Sequence, residues 1–146
     1  MEKEVLRKIE LNQFTNEIGL KMGMAILQLA KKRNQQIAVE VSRLHHAIFL
    51  FVGEGLPPDK HNWLSRKANV ARHFEESSLS VKQDLAQGNM TLGQTFALDE
   101  TEYLAKGGAI PIFVKDAGLV AIICVSGLRD VADHQIIVEA LEGEFY

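Results

Sequence analysis

An α+β single domain, built on an antiparallel sheet flanked by helices, is the fold class this sequence predicts, and three observations carry it. Ala109-Ile110-Pro111-Ile112-Phe113-Val114 follows a Lys106-Gly107-Gly108 break and is rich in branched and aromatic residues, Lys115-Asp116-Ala117-Gly118 supplies a turn, and Leu119 to Val125 is an unbroken apolar run. Ile37 to Ser42 and His46 to Val52 repeat the strand signal around a short Arg43-Leu44-His45 connection. Connections this short impose antiparallel pairing, because parallel neighbours need a crossover of a dozen or more residues. A chain of 146 residues with 47% hydrophobic content is long enough for one core and too short for two.

The elements follow in chain order. Val5, Leu6 and Ile9 recur at helical spacing among charges and predict a lead-in amphipathic helix within residues 1–13, ahead of a domain spanning residues 14–146. Thr15 or Asn16 caps a second helix running to about Arg33, with Ile18, Met22, Ala25, Ile26 and Leu29 as its apolar stripe. Gly19 and Gly23, one turn apart on this helix, leave a groove for close packing. After the first hairpin, Gly53 to Pro58 reads as a loop and Asp59 as the cap of a helix from Lys60 to about Glu75. Ser77 or Ser78 caps another, ending at Gly88-Asn89. Met90, Leu92 and Phe96 are the apolar residues left to form any further strand, and Asp99-Glu100-Thr101-Glu102 reads as a helical turn. Ala132, Ile136, Ile137, Ala140 and Leu141 stripe a final helix.

Composition narrows the partners. A net charge of −3 and a pI near 5.9 argue against nucleic acid, which selects strongly basic surfaces. No stretch is long and apolar enough for a membrane span, the N-terminal residues lack the basic-then-apolar order of a secretory signal, and cytoplasmic residence is the expectation. The single cysteine, Cys124, falls inside the apolar run and is expected to be a small buried hydrophobe. No glycine fingerprint for phosphate sits between a first strand and a helix, which disfavours a doubly wound nucleotide fold.

Candidate chemistry gathers in two places. The helix from Lys60 carries Arg66, Lys67 and Arg72 with no acid before Glu75, a face that could hold a carboxylate or phosphate or else be a solvated or subunit-facing surface. Trp63 and Phe74 on the same helix could flank a flat ligand or fill a core. His134 has Asp130 one turn before it and Asp133 beside it, so it reads either as an acid or base or as a packed histidine. His45 and His46 point to opposite faces if extended, so the five histidines do not form a zinc site. Ser126 lacks the flanking glycine pattern of a nucleophile elbow.

Gly107-Gly108-Ala109-Ile110-Pro111-Ile112, then Gly118 with its apolar strand, then Val125-Ser126-Gly127-Leu128 and Asp133-His134, resemble the haem-degrading-domain family, which includes haem-binding and glycolate-utilisation-associated members. Trp63-Leu64-Ser65-Arg66-Lys67, Asn69-Val70, Phe74 and Ser77-Ser78 resemble a subfamily of small cytoplasmic proteins in that group, and the match runs from about Phe14 onward. The resemblance implies a profilin-like architecture, homo-oligomeric assembly and, for some relatives, haem. It marks Trp63, Arg66, Lys67, Ser77, Ser78, Gly107, Gly108, Asp133 and His134 as a shared ligand site or a shared interface. Two positions depart from the pattern: Leu128 stands where many haem-associated relatives have a second glycine, and His134 where an acid is common. The resemblance therefore carries over no axial haem ligand.

Three readings follow for function. The first is an oligomeric small-ligand module, haem among its candidate ligands, with Trp63 and Phe74 at the ring, Arg66 and Lys67 at the propionates and His73 or His134 at the iron. The second is an oligomeric protein-interaction module. The third is an enzyme on a small anionic substrate with His134 as acid or base.

Overall fold

The computed structural model describes residues 4–57 and 59–146. Met1 to Lys3 and Pro58, parts of the expected lead-in segment and loop, lie outside the described residues, as do the side chains of Lys60 and His61. Five strands form one mixed sheet: β1 (Ile9–Leu11), β2 (Ala38–Arg43), β3 (Ala47–Val52), β4 (Ala109–Val114) and β5 (Gly118–Ser126), in spatial order β1-β4-β5-β2-β3. The four expected strands pair antiparallel, β2 with β3, β2 with β5 and β4 with β5. The fifth, β1, lies parallel to β4.

Two expectations are corrected here. The described part of the lead-in segment is not helical: Ile9 and Leu11 are buried around an exposed Glu10, a two-residue period that seats them on the sheet edge. The further strand comes from this segment and not from residues 88–96, where Leu92–Phe96 is a short helix α4 capped by Thr91, whose hydroxyl accepts from Gln94 N.

Helices cover both sheet faces. On one, α1 (Asn16–Lys32) and α5 (Asp130–Leu141) pack Met22, Ile26, Ile136 and Ile137 against Val39, Val41, Ile110 and Ile123. Thr15 caps α1 by accepting from Ile18 N at 3.1 Å. The Gly19–Gly23 groove is filled by Ile48 and Phe49 of β3, which a Cβ at either glycine would strike. On the other face α2 (Lys60–Phe74) sets Leu64, Ala68 and Ala71 on Ala38, Ala109, Ile122 and Cys124. Asp59 precedes α2 without making a side-chain cap bond. Cys124 is buried, as expected, and burial pushes its thiol up to about 12.

Helix α3 (Ser78–Gln87) bridges the layers. Its cap Ser77 accepts from Ser80 N, donates its hydroxyl to Leu6 O at 2.7 Å and donates its backbone N–H to Arg7 O, so the N-terminal segment is stitched to α3 before it enters β1. Arg7 adds ion pairs to Glu76 and Asp84. No helix among the described residues is long and apolar enough to cross a membrane.

Candidate functional site

The residues singled out from the sequence separate into three groups in space. The largest is a buried polar knot where α2, β4, β5 and α5 meet. Lys67 is 1% exposed, and its ammonium donates to Gly107 O at 3.0 Å, Val125 O at 2.9 Å and Asp133 Oδ2 at 2.9 Å, which uses all three of its protons. The other oxygen of Asp133 accepts from Leu128 N at 2.8 Å and so shapes the turn into α5. Gly108 has φ +134°, and a Cβ there would run into Val125 O and stand 2.8 Å from Lys67 Nζ. Gly107 is held against Asp130 in the same way, its N–H donating to the Asp130 carboxylate. Ser78 closes the knot from α3 by accepting from Ala109 N at 3.0 Å, and Ser77 beside it is spent on the N-terminal segment.

The second group lies apart. Arg66 donates to Glu100 O at 2.8 Å, and Trp63 carries the Lys106 ammonium 5.1 Å above its ring. Phe74 packs edge-on to Phe96 and His73, at 5.1 and 4.8 Å between ring centres, in a small cluster with Val70, Val81 and Leu92. Trp63 and Phe74 thus have different neighbours and do not line one slot.

The third group is a cleft of about 510 Å³ between the N-terminal segment, α3 and α5, within the size range of small-molecule sites. Val5, Leu6, Leu79, Val131 and Val138 supply apolar wall. Gln83, Gln135, Glu4 and Glu142 supply the polar part, with His134 and Tyr146. His134 is 3% exposed, its Nδ1 has no hydrogen-bond partner among the described residues, and burial pulls its pKa down to about 4, so the imidazole is neutral at neutral pH. The Tyr146 hydroxyl is likewise buried without a partner, and burial together with the Glu142 carboxylate raises it to about 12.

Of the sequence-derived candidates, then, Lys67, Ser78, Gly107, Gly108 and Asp133 are brought together, Ser77 and His134 flank them, and Trp63 and Arg66 stand elsewhere. Sequence reasoning missed the cleft itself: Val5, Leu6 and Tyr146 carry no motif, and the pairing of α3 with the N-terminal segment depends on the buried Ser77. A tetrapyrrole asks for an apolar slot, an axial donor and cations for its propionates. The cleft offers the first in its walls and the second in His134, but its charged lining residues are both carboxylates. The residues present fit an uncharged or cationic apolar molecule better than a dianionic ring.

Comparison with known proteins gives the relatives of this arrangement. UPF0303 protein ZMO1353 of Zymomonas mobilis is 36% identical over 139 residues, covering 95% of this chain and 75% of that one. The crystal structure of Ybr137w protein superposes with a TM-score of 0.80 at 27% identity, over 89% of this chain and 77% of that one. The crystal structure of a PduOC:Heme complex has the same fold, with a TM-score of 0.70 at 16% identity over 90% and 96% of the two chains. The family model described as "Haem degrading protein HbpS-like" matches residues 14–142, and the chain belongs to that family.

Proposed function

We propose that this protein is a homo-oligomeric small-ligand-binding module, holding its ligand in the cleft between α3 and α5, with no catalytic step assigned to it. The observation that carries the reading is His134, a neutral imidazole buried beside an apolar cleft with Nδ1 unpaired. A buried polar atom left without a partner costs about 1–3 kcal/mol, and a turn of the imidazole that brings Nδ1 to a ligand's hydrogen-bonding group would recover that cost on binding. The family, and the haem complex of the PduOC structural neighbour, make tetrapyrroles the first ligands to test, while Glu4 and Glu142 favour a ring without free carboxylates. The polar knot serves this reading indirectly, by fixing the start of α5 and hence the place of His134. The reading of an enzyme on a small anion loses Lys67, whose three protons are all used within the knot, and keeps Arg66, which gives one hydrogen bond to Glu100 O and stands apart from His134.

Titration of the purified chain with hemin and with hemin dimethyl ester, followed in the Soret band, tests the proposal. Saturation near one equivalent per subunit is expected, tighter for the ester, with His134→Ala weakening the ester by about tenfold or more, the worth of one lost hydrogen bond to a buried group. Non-saturating spectra for both compounds, identical in the wild type and His134→Ala, overturn it.

A further inference from the structure

We propose that the cleft takes an organic cation, a flat apolar body carrying a protonated amine, with the amine held at Glu142 where α5 ends; the proposal rests on the ligand-binding reading above and names the class of ligand. The lining of the cleft has a direction. Val131, His134, Gln135, Val138 and Glu142 recur at helical spacing, so they share one side of α5 and its end. At about 1.5 Å per residue they extend over roughly 16 Å, with His134 and Val138 along the middle and Glu142 at one end.

Negative potential collects at that end. α5 has no basic residue in its last turn, so its terminal carbonyls and the Glu142 carboxylate beyond them meet no cation from their own helix. Glu139, one turn earlier, is paired with Arg33. Neither Glu142 nor Glu4, the other charged residue of the lining, has an ion-pair partner among the described residues. Burial and then the Glu142 carboxylate raise the hydroxyl of Tyr146, which lines the same cleft, so the field of Glu142 reaches the interior.

Nothing in the lining opposes this field. Burial keeps the His134 imidazole neutral at neutral pH, so it neither repels a cation nor holds an anion by charge. Glu142 is exposed, so an ammonium placed there keeps part of its water while the apolar body covers Leu79, Val131 and Val138. Charge and desolvation therefore favour the same orientation. No three His, Cys, Asp or Glu side chains among the described residues stand together to hold a metal ion, which makes the cation an organic one.

Fluorescence titration of the full chain with three pyrenes of similar shape tests this: pyrenylmethylamine, a cation at neutral pH, pyrenylmethanol, which is uncharged, and pyrenecarboxylate. The amine is expected to bind about tenfold more tightly than the carboxylate, with the alcohol between them, because attraction and repulsion by one solvent-screened carboxylate are each worth about threefold. Glu142→Gln should weaken the amine by about threefold and tighten the carboxylate by as much. Asp116→Asn removes a like charge from the exposed β4–β5 turn, suits its left-handed backbone, and should leave the order as it is. Equal affinities in the wild type, or a carboxylate that binds tightest, overturn the ligand class, and saturation by hemin dimethyl ester in the same protein leaves the binding reading standing without it. An amine preference that survives Glu142→Gln, or that Asp116→Asn weakens equally, overturns the placement at Glu142. If none of the pyrenes saturates, the ligand class falls alone where the ester saturates, and the binding reading falls with it where the ester does not.

Discussion

Asp133 and His134 are adjacent, both about 3% exposed, and both on the first turns of α5, yet they are opposites in bonding. Every oxygen of Asp133 has a partner, and the partners lie on α2 and on the turn leaving β5. His134 leaves Nδ1 with nothing and faces a cleft. A polar group that is buried and fully paired is part of the fold. One that is buried and unpaired carries a cost, as Gln35 Oε1, Arg66 Nε, Arg72 Nε and Ser126 Oγ also do, and what sets His134 and Tyr146 apart from these is that they line the cleft as well.

The sharpest way to break the comparison is to unpair the paired side. Asp133→Ala would leave the Lys67 ammonium buried at 1% exposure with only two carbonyls, and Lys67→Met would leave the Asp133 carboxylate uncompensated. Each is expected to lower unfolding free energy by about 3–5 kcal/mol, measured by urea titration, and the double variant Lys67→Met/Asp133→Leu to recover much of the loss by removing both charges. If the single variants lose under about 1 kcal/mol, the knot is not what holds α5.

His134 gives the next effect, and its sign is fixed by the direction of the shift. Its folded pKa is about 4 against an ordinary 6.5, so between those values the unfolded chain takes up a proton that the folded chain refuses. Stability is therefore full above about pH 6.5 and falls as the pH drops toward 4, by up to about 3 kcal/mol at 1.36 kcal/mol per pKa unit. His134→Gln removes this contribution, and denaturant midpoints of variant and wild type should converge as the pH is lowered through that window.

The elements with periodic sequence were legible from the chain alone. Four strands and the helices α1, α2, α3 and α5 fall where apolar spacing and the caps Thr15 and Ser77 put them, within a residue or two. What escaped depended on contacts distant in sequence. β1 is three residues among charges, and only its parallel seat beside β4 tells Ile9 and Leu11 from a helical stripe. Lys67 reads as one cation of a basic helix face because its counter-ion lies 66 residues further along the chain. His134 could be singled out as unusual from Asp130 and Asp133, but the cleft beside it exists only because the N-terminal segment is folded back onto α3.

Ser77 tests that last point with a smaller effect. Its side chain caps α3 and holds Leu6, one wall of the cleft, so Ser77→Ala is expected to cost about 1–2 kcal/mol in stability, as lost caps do. Amide exchange at Leu6 and Arg7 should quicken in this variant while β2 and β5 stay protected. Equal acceleration in both places would mean the N-terminal segment is held by the Arg7 ion pairs or β1 instead.

The smallest expected effect sits at the rim of the cleft and distinguishes what it admits. Glu142 is exposed and raises the Tyr146 phenol, so its carboxylate acts on the interior of the cleft through space. Glu142→Gln removes that charge with little change in shape. The Tyr146 phenol should then titrate below its value of about 12, read from phenolate absorbance, because one of its two causes is gone and only burial remains. Hemin, which brings carboxylates toward the same rim, should bind about threefold more tightly to the variant, the modest gain expected from relieving one solvent-screened repulsion. The dimethyl ester, lacking those charges, should be indifferent to the substitution. An ester that responds as strongly as hemin would show that Glu142 shapes the cleft sterically, and a hemin affinity that falls would place the propionates away from this rim.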